Sequence, residues 1–122
     1  MNERRKSPDF LNGVPELVLL QLLAVRPMYG YQVVQAIRQA TDEVLDFGEG
    51  SIYPILHRLE DEQALTSSRE TVAGRSRVVY RITPRGRERL QESAASWNRI
   101  ARAVSRLLEA EGGAHARPAV AG

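Results

Sequence analysis

The chain contains no cysteine, which excludes disulfides and thiol chemistry. Lysine is almost missing as well: Lys6 stands alone, so arginine carries the positive charge. Histidine is limited to His57 and His115, too isolated to form a metal site. No Ser/His/Asp set or carboxylate pair comes with a supporting motif, and the glycines at 48, 50 and 74 match no nucleotide-phosphate loop. No reaction, metal or cofactor is therefore expected. No apolar run reaches membrane-spanning length, and Met1 to Pro8 leads into no signal-peptide core, so the expectation is a cytoplasmic protein with no membrane partner.

What is present fits one compact domain with an extension: 122 residues make only a small core, one that calls for a partner copy. The formal net charge is only +2, but it is unevenly spread. Arg69, Arg75, Arg77, Arg81, Arg85, Arg87 and Arg89 crowd one stretch against Glu70 and Glu88, a local basic block. Guanidinium groups grip phosphates and guanine edges bidentately, so the clustering points toward nucleic acid.

The most informative segment runs from Gly48 to Glu60. Ser51 reads as an N-cap and Pro54 as a first-turn proline, which starts a helix near Ile52. Ile52, Ile55, Leu56 and Leu59 recur at helical spacing as an apolar stripe, whereas Tyr53, Pro54, His57 and Arg58 fall on the other side. One face packs, and the other presents a phenol, an imidazole and a guanidinium outward.

Upstream, residues 1–9 form a polar basic arm, and Pro15 is expected to open a mostly buried helix through Val25. A second, amphipathic helix follows Tyr29-Gly30-Tyr31, with Val33, Ala36, Ile37 and Ala40 as its stripe. Downstream, Ala64 to Arg69 and Arg77 to Thr83 read as a hairpin whose loop, Glu70 to Ser76, carries Gly74, Arg75 and Arg77 at or near its tip. Thr83 caps a last helix with Pro84 at its first position, expected to run to about Ala110 before Gly112-Gly113 stop it and a disordered tail begins.

That last helix carries a heptad seam: Leu90, Ala94, Trp97, Ala101, Val104 and Leu108, flanked by Ile100 and Leu107. A helix of about 27 residues is about 40 Å long, more than so small a core covers. The expected cover is a second copy of the chain, in a two-fold dimer.

The order of elements, mainly α with a small β-hairpin, is that of a winged helix-turn-helix followed by a long C-terminal dimerisation helix. The divisions expected are an arm at 1–9, the winged domain at 10–83, the dimerisation helix at 84–111 and the tail at 112–122. Pro27-Met-Tyr-Gly-Tyr-Gln-Val33, Gly50 to Glu60, Gly74-Arg75 with Tyr80-Arg-Ile-Thr83, and Thr83-Pro-Arg-Gly86 together resemble the PadR family of bacterial transcriptional regulators. Ser96-Trp97 on a single long helix resembles the short-form branch that includes repressors of multidrug exporters. The resemblance implies a homodimeric repressor on a double-stranded operator, with a tryptophan pair lining a drug site between subunits. Two positions depart from the family pattern: Gln32 stands where Glu is usual, and Gln63 where Gly is usual at the end of the recognition helix. If Gln63 takes a positive φ it costs roughly 1 kcal/mol relative to Gly; otherwise the helix ends differently and tilts the wing.

The candidate DNA-binding residues are Ser51, Tyr53, Pro54, His57, Arg58, Gly74, Arg75 and Arg77. Each has a plainer reading: Ser51 as a cap, Tyr53 as packing against Pro54, His57 and Arg58 as solvated surface, the arginines as an ordinary hairpin tip. Trp97, with small Ala94 and Ala101 beside it, reads either as dimer core or as the platform for a flat aromatic effector. The overall expectation is a ligand-responsive repressor. Its rivals are an effector-independent regulator and a protein-interaction adaptor built on the same fold.

Overall fold

The computed structural model describes the backbone of residues 2–116 and the side chains of residues 13–110. Among the described residues four helices and three strands follow one another as α1 (Asn2–Val25), β1 (Met28–Tyr29), α2 (Gly30–Ala40), α3 (Glu49–Asp61), β2 (Leu65–Val72), β3 (Arg75–Ile82) and α4 (Pro84–Ala116). The chain divides into two units, Met1–Gln91 and Glu92–Gly122.

In the first unit α1, α2 and α3 each contribute one apolar face to a common core. Leu19, Leu20 and Leu23 come from α1, Val33, Val34 and Ile37 from α2, and Ile52, Leu56 and Leu59 from α3. The α1 helix begins at Asn2, not at Pro15, which lies inside it. A proline costs a helix one hydrogen bond but does not oblige it to start there. In α2 the stripe rotates slightly from expectation: Val34 is buried, whereas Ala40, the last helical residue, is exposed.

The α3 helix starts earlier than its sequence suggests. Gly48 is the N-cap, and its carbonyl accepts the N–H groups of both Ser51 and Ile52 at 3.0 Å, so Ser51 is the third helical residue and not the cap. Pro54 is accordingly inside the helix, where the Gly50 carbonyl loses its usual N–H partner on an exposed face. Ile52, Leu56 and Leu59 are buried as the spacing requires, with Ile55 half-buried beside them.

At the other end of α3, Gln63 adopts φ 66°. The Gln63 N–H reaches the Glu60 carbonyl at 3.0 Å and the Ala64 N–H reaches the Leu59 carbonyl at 2.8 Å, the paired bonds of a Schellman ending. Ala64 and Leu59, both fully buried, supply the accompanying apolar contact. Gln63 thus takes the left-handed conformation and the helix ends in the ordinary way.

The sheet is three-stranded and antiparallel in the order β1-β3-β2. β1 is a strand that the sequence pattern does not announce; Met28 pairs with Tyr80 and Tyr29 with Val79. β2 and β3 pair from Leu65↔Ile82 out to Val72↔Arg75, so the expected loop from Glu70 to Ser76 shrinks to Ala73-Gly74. These two residues have φ 52° and 79°, the positive pair that a tight type I′ hairpin needs. Arg81 and Glu70 bridge the strands at 2.5 Å, and Ser68 also donates to Glu70 at 2.8 Å. These hydrogen bonds, with the guanidinium charge, hold the Glu70 carboxyl below its ordinary value.

Thr83 caps α4 as expected: its Oγ1 accepts the Gly86 N–H at 3.0 Å and donates to the Gln63 carbonyl at 2.7 Å. Leu90 is buried in the core of its own chain, which removes it from the seam assigned to a second copy. Its helical register points it at the same apolar cluster that receives α1 and α3. In the second unit Trp97, Ile100, Val104, Leu107 and Leu108 are exposed. The helix passes through Gly112-Gly113 to Ala116, because a glycine weakens a helix by only about 1 kcal/mol against alanine. Of the expected tail, residues 117–122 lie outside the described residues, as do the side chains of the arm.

Gln63→Gly should raise unfolding stability by roughly 1 kcal/mol by removing a left-handed non-glycine residue, and Gly86→Ala should lower it, since a methyl there would lie 2.7 Å from Ile82 Cγ1 and against the Ala64 carbonyl. Chemical denaturation of the two variants checks both signs; equal midpoints would contradict the assignment of strain to these positions.

Candidate nucleic-acid interface

The outward face of α3 and the near side of the hairpin enclose a cleft of about 310 Å³, lined among others by Tyr29, Tyr53, His57, Arg69, Arg77 and Tyr80. Each wall has a local cause. α3 turns Tyr53 and His57 to one side, four residues apart, with ring centroids 6.4 Å apart. β1 sets Tyr29 next to β3, and the Arg77 guanidinium lies 4.5 Å above the Tyr29 ring, a cation–π contact. Gly30 forms the floor. A methyl at this position would sit 2.6 Å from the Tyr53 hydroxyl, so the tyrosine reaches its place only because residue 30 has no side chain.

Both signs of charge act on the cleft. Partial burial, and then the nearby Glu49 carboxylate, raise the Tyr53 phenol above its ordinary value, while Arg77 pulls the other way. The phenol therefore stays protonated and able to donate at neutral pH. Tyr80 is raised in the same direction, chiefly by burial. Arg77 Nε is buried without a hydrogen-bond partner among the described residues. Arg69 donates to the Ser76 hydroxyl at 3.2 Å across the hairpin, which holds its guanidinium along the strand.

The sequence candidates therefore separate. Tyr53, His57 and Arg77 come together in the cleft. Ser51 and Pro54 are exposed on the N-terminal half of α3, and Gly74 and Arg75 are exposed at the hairpin turn. Arg58 goes elsewhere: its guanidinium pairs with Glu16 at 2.9 Å and Glu62 at 3.5 Å. Arg89 pairs with the same two carboxylates, at 2.9 and 2.6 Å. Burial opposes the charge on Arg89, but the two carboxylates outweigh it and raise its affinity for the proton. Tyr29, Gly30 and Tyr80 escape a sequence reading because they join the cleft only through the β1–β3 pairing and the α2–α3 contact. Among the described residues no group of His, Cys, Asp or Glu is placed to hold a metal, and no helix is long and apolar enough to cross a membrane.

Comparison with known proteins bears on the fold. The model of the PadR-like transcriptional regulator family matches residues 19–92, a span that ends one residue past the first unit. A transcriptional regulator from Mycobacterium tuberculosis, Rv3488, is 34% identical over 96 residues, covering 79% of this chain and 87% of that protein. Among solved structures, a PadR-like transcriptional regulator from Bacillus cereus superimposes with a TM-score of 0.71 at 31% identity, over 82% of this chain and 96% of its own. A transcriptional regulator from Clostridium thermocellum gives a TM-score of 0.73 at 28% identity, over 80% and 93%.

Gly30→Ala should destabilise the chain by about 1–3 kcal/mol, the usual penalty of overpacking, although alanine favours a helix. Tyr53→Ala in the same chain should recover most of that loss. Additive penalties in the double variant would mean that the two residues do not share the space.

Proposed function

The chain belongs to the PadR-like family of transcriptional regulators, and on that premise we propose that it is a homodimeric, ligand-responsive repressor that binds a double-stranded DNA operator in the cytoplasm. The observation that carries this reading is the cleft in which Tyr53 and His57 of α3 meet Arg69 and Arg77 of the hairpin. A protruding helix with aromatic and imidazole donors suits the major groove, and a basic two-stranded wing suits the backbone beside it. Ser51, Tyr53 and Pro54 are assigned to the approach of a phosphate to the N-terminal half of α3, His57 to base reading, and Gly74, Arg75 and Arg77 to the wing. Arg58 keeps at most an indirect part, because it is already held by two carboxylates. The chain itself performs no reaction in this scheme.

The second unit supports the regulatory half of the proposal. Ala94, Trp97, Ala101, Val104 and Leu108 repeat at heptad spacing, and Trp97, Val104 and Leu108 are exposed, from 38% to 63%. An apolar seam of this kind is covered by a second copy. Small Ala94 and Ala101 on either side of Trp97 leave room for a flat aromatic effector between two indoles. Binding there changes the spacing of the two recognition helices and so the fit to half-sites about one helical turn, or a multiple, apart.

Three measurements test this in parts. Arg75→Ala and Arg77→Ala should weaken binding to all DNA sequences alike and each reduce the salt slope by about 1, whereas His57→Ala should cost about 1–3 kcal/mol at a single base position. Slopes that do not move would detach the wing from the backbone. Val104→Asp with Leu108→Asp should halve the mass seen by light scattering at micromolar concentration, and an unchanged mass would end the seam's role in assembly. Planar dyes titrated against Trp97 emission should quench it saturably and weaken operator binding; if Trp97→Ala instead dissociates the protein, Trp97 is interface and not ligand platform.

A further inference from the structure

Arg58 and Arg89 share two carboxylates in a closed ring of alternating charge. Arg58 Nη2 donates to Glu16 Oε1 at 2.9 Å, Arg89 Nε donates to Glu16 Oε2 at 2.9 Å, and Arg89 Nη1 forms an ion pair with Glu62 Oε1 at 2.6 Å. Arg58 Nη1 closes the circuit to Glu62 Oε1 at 3.5 Å. The four residues come from α1, α3, the residue capping α3, and α4, so three helices meet at one set of charges. Glu16 is the anchor: both of its oxygens are used, and its side chain is only 13% exposed. An isolated surface pair contributes little, but a planar fork bonded to two carboxylates fixes direction as well as distance.

We propose that Glu16, Glu62 and Arg89 are positioning residues that act through Arg58 to set the orientation of α3, so that Arg58 itself reads no base. The inference rests on the reading of α3 as the recognition helix. Its logic is one of competing partners. To reach a base or phosphate, Arg58 must leave two carboxylates and strand a largely buried Glu16 with a single partner, which costs more than an exposed arginine recovers from a phosphate in water. The ring lies at the C-terminal end of α3, opposite the half that carries Tyr53. The two ends then divide the work: one touches DNA and the other holds the angle at which it does so.

The test uses the full chain and a DNA fragment selected by the wild-type protein from a random-sequence pool, with Arg58→Ala, Arg58→Lys, Glu16→Gln, Arg89→Gln and the Glu16→Gln/Arg58→Ala pair. All four single variants should reduce the ratio of selected to random-sequence affinity by about tenfold, the size expected within one coupled network, and the pair should lose no more than either single change. The salt slope should stay at its wild-type value. Glu16→Gln is the sharpest case, since removing a negative charge would by itself strengthen DNA binding. Tighter binding by Glu16→Gln together with a slope lower by about 1 in Arg58→Ala would overturn the proposal and make Arg58 a phosphate contact that Glu16 withholds. An unchanged ratio in all variants would overturn it too. Should the wild-type chain select no DNA, the functional reading fails, and the ring is judged by amide exchange alone. Glu16→Gln should then speed exchange at residues 59–63 about tenfold against unchanged α2 amides, and equal protection in both helices would remove the positioning role.

Discussion

The Ala64 carbonyl is the point on which the first unit turns. It accepts the Thr83 N–H at 3.0 Å, and Gly86 lies directly against it. One residue earlier the Gln63 carbonyl accepts the Thr83 hydroxyl, which in turn caps α4. Four events therefore happen within one small volume: α3 ends, β2 begins, β3 ends and α4 begins. A buried carbonyl must find a donor, and a residue larger than glycine at position 86 would push the donor away. The angle between α3 and the hairpin follows from this junction, because both elements leave it within a few residues. Gln63 is the strained member. Its backbone sits where glycine rests more easily, and the Schellman bonds and the Thr83 contact hold it there.

This arrangement also explains which features the sequence made legible. Helical periodicity marks a buried stripe independently of where the helix starts, so Ile52, Leu56 and Leu59 were readable even though the start of α3 was not. Ser51 looked like a cap because serine accepts N–H groups well. Gly48 takes the position instead, since its carbonyl already serves two N–H groups and glycine is an acceptable cap without a side-chain oxygen. Thr83-Pro84 was legible because cap and first-turn proline act within one turn. What escaped depends on tertiary pairing: β1 is a strand of only Met28 and Tyr29, recognisable once β3 lies beside it, and Leu90 has the spacing of a seam residue but meets its own core. A heptad register states which residues share a face and is silent on where one face changes its partner.

The candidate site was half legible for the same reason. Tyr53, His57 and Arg77 carry chemistry visible in a string of residues, whereas Tyr29 and Gly30 matter only as the surfaces those groups rest on. Gly30 is the clearer example. Its role is to be small opposite Tyr53, and no local pattern reports the size of a residue's opposite number.

Net charge says little about how this surface meets an anion, because the arginines are divided by their partners. Arg58 and Arg89 are bound to Glu16 and Glu62, and Arg81 is bound to Glu70. In each case a carboxylate from another element offsets the guanidinium charge. Arg75 stands exposed at the turn, and Arg77 faces a tyrosine ring, whose quadrupole attracts the cation without cancelling its charge. Positive charge at the cleft comes from Arg69 and Arg77, with Arg75 at the turn of the same hairpin, against the Glu49 and Glu60 carboxylates that act on Tyr53 and Tyr80, and not from a net charge of +2 spread over the chain. Potential at a surface falls off within about 8–10 Å at ordinary salt, so it is this local excess that an approaching phosphate meets. Carboxylates that lock arginines elsewhere in the fold sharpen the contrast, since each pair removes a competing positive patch.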